Sequence, residues 1–111
     1  MNKIIQIKGV VDMNIITEVL DLLLSRFEKE QNGDFWRQVW LWFSLNPNES
    51  AGEVLKYCVW ESTTMSLLER EIRYEDLTMY KKMFDTLYEQ AYESKVWRLY
   101  EKYIQKVVIM K

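Results

Sequence analysis

The chain has 111 residues, 49% of them apolar and 29% charged, a balance that suits one domain with a single core and sets it apart from intrinsically disordered chains. Its formal net charge of −2 is not that of a general nucleic-acid binder, which is usually basic overall, and it is unevenly placed: ten Lys/Arg against sixteen Asp/Glu over residues 1–94, net −6, then net +4 over 95–111. The absence of histidine and the single cysteine, Cys58, exclude His-dependent nucleophilic catalysis, nearly all zinc chemistry and an internal disulfide.

Residues 3–9 open with Lys3, Ile4, Ile5, Gln6, Ile7 and Lys8, short, β-branched and partly alternating, and predict a strand. Lys3 and Lys8 interrupt the apolar residues, so there is no signal-peptide core, and a cytoplasmic chain is expected. From Asp12 or Asn14 as N-cap, Ile15, Ile16, Val19, Leu20, Leu22, Leu23, Leu24 and Phe27 repeat at helical spacing. They predict a buried helix over about residues 14–31, stopped by Asn32-Gly33.

The run Phe35-Trp36-Arg37-Gln38-Val39-Trp40-Leu41-Trp42-Phe43 holds three of the five tryptophans. Read as a helix capped by Asp34, it buries Trp36, Val39, Trp40 and Phe43 and leaves Trp42 at the boundary. Read as a strand over 36–44, it splits its rings between two faces. Aromatic and β-branched density favours the strand, as does the Asn-Gly-Asp turn before it. Both readings end at Asn46-Pro47.

The order of strand, Gly9, Asp12, long helix and second strand resembles the opening of Clp-protease and crotonase-type folds. Their glycine-rich oxyanion loop is replaced here by Asn46-Pro47-Asn48-Glu49, so the resemblance implies a βα-β order and no catalysis.

Ser50 and Glu53 form a capping box for a helix reaching about Ser62, and a second helix is expected from Thr64 or Ser66 through Ile72. Leu77, Tyr80, Phe84, Leu87 and Ala91 repeat at three-and-four spacing. Val96, Tyr100, Tyr103 and Val107 continue out of phase, which predicts a kink or a break with a new cap at Ser94. Residues 106–110 read as the end of that helix or as a third strand. The expected fold is therefore α+β and rich in helix, a small sheet from 3–9 and 36–44, with 106–110 as a further candidate, covered by four to five helices. The alternative is an all-helical bundle.

Lys95, Arg98, Lys102 and Lys106 form one stripe on the last helix, suited to an anionic surface or nucleic acid, or to complementing the helix C-terminus. The carboxylate pairs Glu18/Asp21, Glu49/Glu53, Glu71/Glu75 and Glu89/Glu93 share helix faces that could hold a divalent metal, though solvated helix faces carry such pairs routinely. No cofactor or metal motif is present, and no apolar run is long enough for a membrane span.

The expected function is a small non-enzymatic protein that binds another protein, as an inhibitor, immunity or antagonist protein, with Trp36, Trp40, Trp42, Trp60, Tyr88, Tyr92 and Trp97 as candidate anchors. A homodimer would also absorb spare aromatics. The rival reading is nucleic-acid or anionic-surface binding through the basic stripe. Richness in Ile, Lys, Asn and Tyr points to an AT-rich prokaryotic or phage genome.

Overall fold

A computed structural model describes residues 12–30 and 33–109, with side chains through Gln105. Its elements are α1 (Met13–Lys29), α2 (Asp34–Leu45), α3 (Ala51–Glu69), a 3-10 turn (Tyr74–Asp76), α4 (Leu77–Leu87), a π-turn (Tyr88–Tyr92) and α5 (Glu93–Ile109). The expected small sheet is corrected. No strand occurs among the described residues, 36–44 lie within α2, and 106–109 continue α5. The strand expected over 3–9 lies outside the described residues. Every described element is helical, and with the second strand gone the βα-β resemblance loses its basis.

α1 starts where Asp12 accepts a hydrogen bond from the Asn14 backbone N–H at 2.9 Å. It buries Ile16, Val19, Leu20, Leu23, Leu24 and Phe27, one face at three-and-four spacing. α3 begins with Ser50 accepting from the Glu53 N–H at 3.2 Å, and it continues through Ser62-Thr63-Thr64, where a break was expected. Thr63 is fully buried there, and its Oγ1 donates to the Val59 carbonyl at 2.8 Å. That bond satisfies the hydroxyl inside the helix, so the polar residue does not stop the helix from crossing the core.

α4, the π-turn and α5 form one unbroken rod from Leu77 to Ile109, roughly 50 Å at 1.5 Å per residue. Its buried residues include Tyr80, Phe84, Tyr88, Tyr92 and Val96, each four apart. In a pure α-helix that spacing drifts about 40° per step and would carry Val96 some 160° away from Tyr80. The π-turn, closed by the Glu93 N–H donating to the Tyr88 carbonyl, takes up one extra residue and brings Val96 back to the core. Of the kink or break expected here, the break with a new cap at Ser94 does not occur, and the out-of-phase spacing is absorbed by the π-turn.

Cross-contacts set the directions. The Asp12 N–H meets the Tyr80 hydroxyl, Tyr92 reaches Asp21, and Lys102 reaches Glu28, so α1 runs parallel to the rod. Trp60 packs on Phe84, Lys56 pairs with Asp85 and Glu89, and Gly52 lies beside Trp97, so α3 runs antiparallel to it. α1, α3 and the rod make a three-helix bundle. α2 closes the end where Phe27 of α1, Tyr57 of α3 and Tyr100 and Tyr103 of α5 converge.

Candidate functional site

The phase of α2 decides which rings of the aromatic run face inward. Phe35 stacks on Phe27 with centroids 3.7 Å apart, and the Trp36 indole N–H donates to the Phe27 carbonyl at 3.2 Å. Trp36 also stacks on Tyr103 at 5.0 Å and is almost fully buried. These contacts put Phe35, Trp36 and Val39 in the core. Trp40, expected to be buried in a helical reading, turns outward and is 45% exposed. Gly33, not Asp34, is the N-cap, and a Cβ there would lie only 3.1 Å from the Glu30 carbonyl oxygen. A side chain at this position would therefore press on Glu30 in the turn between α1 and α2 and require it to shift by a few tenths of an ångström.

The outer face of α2 carries Trp40, Leu41 (55% exposed) and Leu45 (64% exposed). On its flank toward α3, half-buried Trp42 meets Tyr57 edge-on at 4.7 Å. Here α2 and α3 enclose an open groove of about 320 Å³, lined by Trp42, Asn46, Glu49, Glu53, Val54 and Tyr57. Burial and the Glu61 carboxylate raise the Tyr57 hydroxyl above its ordinary pKa. Asn46 Nδ2 donates to the Trp42 carbonyl at 3.1 Å, fixing the end of α2 at the groove.

The other candidate anchors are scattered. Tyr88 and Tyr92 are buried, and the Tyr92 hydroxyl donates to Asp21 at 2.8 Å. Trp60 is half-buried against Phe84, with Lys81 over its ring at 5.9 Å. Trp97, also half-buried, lies across Gly52 and edge-on to Tyr100. Only Trp40 and Trp42 belong to the α2 surface. The residues that join them there, Leu41, Leu45 and Tyr57, were not singled out from sequence. Leu41 and Leu45 are spaced i, i+4, a signal that becomes readable only once the run is known to be helical.

Lys95, Arg98 and Lys102 line a single cleft between α1 and α5, together with Leu24, Ser25, Glu28 and Leu99. Lys95 sits 5.1 Å above the Tyr92 ring, and Lys102 lies 3.9 Å from the Glu28 carboxylate. The side chain of Lys106 lies outside the described residues. A third depression, between α1 and α4, is lined by Met13, Met79, Met83 and Leu87 with Lys82, Thr86 and Gln90.

Three of the four carboxylate pairs have one member in an ion pair. Glu18 hydrogen-bonds Arg70 at 3.1 Å, which holds its pKa below the usual value, and Glu89 pairs with Lys56 at 3.6 Å. Glu75 takes a 2.7 Å bond from Arg73. Glu49 and Glu53 instead flank the groove and have no ion-pair partner among the described residues. No group of three or more Cys, Asp or Glu suited to a metal occurs among the described residues, and no described helix is long and apolar enough to cross a membrane. Cys58 is fully buried, which pushes its thiol up to about 12 and leaves it protonated and inert at neutral pH. No protein-family model, curated protein or solved structure matches the chain.

Proposed function

We propose that this chain is a non-enzymatic protein-binding module whose contact surface is the outer face of α2 together with the groove between α2 and α3. The observation that carries the reading is the exposure of Trp40, Leu41 and Leu45 on a helix whose opposite face is packed into the core. Isolated exposed apolar residues are ordinary, but large ones gathered on one helix and bordered by an aromatic groove match the anatomy of an interface core. Tryptophan and tyrosine are the residues that most often anchor such contacts. A rigid aromatic-rich helix of this kind would act by covering its partner's surface, which is how an inhibitor or antagonist works.

What supports the rival, anionic-surface reading is the convergence of Lys95, Arg98 and Lys102 on one cleft. Glu28 in the same cleft, within 3.9 Å of Lys102, opposes it by lowering the net positive charge there.

A photo-cross-linking residue installed at Leu41 or at Arg98, in the full chain expressed in its native host, separates the two. The proposal expects a protein adduct from position 41 and none from position 98; an adduct containing two copies of this chain would make the partner the chain itself. Adducts from 98 alone, or from neither position, would overturn it.

A further inference from the structure

We propose that the groove between Trp42 and Tyr57 receives a lysine or arginine side chain of the partner protein, an inference that rests on the α2–α3 surface being the interface. The two rings meet at an interplanar angle of 71° and form a corner with Val54 beside it. An apolar corner of this shape suits a methylene stem, and aromatic faces attract a cation laid over them.

The charges at the groove point the same way. Glu49 and Glu53 lie on its rim, and the six lining residues include no lysine or arginine. α2 ends here with no basic residue in its last turn, so the negative end of its dipole is met by the neutral donors of Asn46 and by no charge from its own sequence. The positive end of α3 nearby is already served by Ser50 and by Glu53 in its first turn. An occupant that brings a positive charge on an aliphatic stem complements the aromatic corner, the two carboxylates and the end of α2. An acidic side chain would face two carboxylates, and a purely apolar one would desolvate them without compensation. Arginine can in addition hold a carboxylate with two parallel hydrogen bonds.

The test is an NMR titration of the full chain, following the Trp42 indole N–H and the Tyr57 amide. The probes are blocked peptides of sequence Ala-Leu-Xaa-Leu-Ala in which Xaa is arginine, lysine, norleucine or glutamate. Arginine and lysine peptides are expected to shift both signals saturably, and raised salt to weaken them. E49Q/E53Q should weaken binding by roughly 3- to 10-fold, and Y57L should weaken it as well. Glutamine at position 53 can still serve the capping box, so helix content should be unchanged by circular dichroism. Equal binding of the norleucine or glutamate peptide, no response at Trp42 to any peptide, or insensitivity to E49Q/E53Q would overturn the cation pocket. A protein adduct from position 41 alongside charge-blind peptide binding would sink this inference alone. Loss of that adduct would sink the interface on which it rests.

Discussion

Glu71 is the one non-glycine residue with positive φ among those described, at 66°. It follows α3 as the left-handed residue of a Schellman motif: its N–H donates to the Leu68 carbonyl at 2.9 Å, and the Ile72 N–H donates to Leu67 at 3.1 Å. A Cβ in that conformation is strained by ~1–2 kcal/mol, while glycine gives back part of the gain through its freer unfolded chain. E71G should therefore stabilise the protein by about 0.5–1 kcal/mol in urea unfolding. Tyr92 makes a second residue-scale prediction. Burial, and then the Asp21 carboxylate it donates to, push its hydroxyl from 10.0 up to about 12. A raised pKa favours the protonated form in the folded state. The stability it lends is thus complete below pH 10 and is lost as the pH climbs toward 12. Y92F should lower stability near neutrality by roughly 1 kcal/mol and flatten the alkaline decline. An unchanged alkaline slope in the variant would count against the Tyr92–Asp21 bond.

At the scale of elements, the π-turn shows what spacing can and cannot reveal. The change of phase after Ala91 is legible in the sequence, because Val96 and Tyr103 cannot share a continuous α-helical face with Tyr80. How the chain absorbs the change is not legible, since a kink, a break and a π-turn leave the same apolar positions. Deleting exposed Gln90 removes the extra residue and should leave a continuous α-helix with Val96 and Tyr103 still inward, so the melting temperature should move little. Inserting alanine after Glu89 turns α5 by about 100° and should cost at least ~3 kcal/mol by pulling both side chains from the core. Equal effects of the two changes in thermal unfolding would contradict this account of the rod. The aromatic run failed for a related reason. Its β-favouring composition reflects how such residues pack in sheets, and here Phe27, Tyr100 and Tyr103 offer equivalent packing to a helix. Thr63 hid the continuity of α3 in the same way, because its bond to Val59 is a property of the folded helix.

For the whole molecule, α1, α3 and the rod supply the bundle, and α2 lies across one end with its outer side uncovered by any described element. The abundance of helix, the cap at Ser50 and the choice of Asp12 or Asn14 for the first cap could be read from periodicity and capping residues, whereas the absence of a sheet among the described residues and the arrangement of helices could not. The proposed surface was half legible. Trp40 and Trp42 stood out as large rings, but Leu41, Leu45 and Tyr57 join them only through the phase of α2 and the approach of α3. The candidate anchors Trp36, Tyr88 and Tyr92 were equally conspicuous in sequence, and their rings are spent on the core. We propose above that the protein works through the outer face of α2. The most direct test is affinity capture from the native host with three chains compared by mass spectrometry: wild type, L41S/L45S and K95A/R98A/K102A. Leu41 and Leu45 are exposed, so L41S/L45S should fold with stability within about 1 kcal/mol of wild type. L41S/L45S is expected to lose the partner that the wild type and K95A/R98A/K102A both retain. A folded L41S/L45S chain that still captures it, with loss confined to K95A/R98A/K102A, would contradict the account.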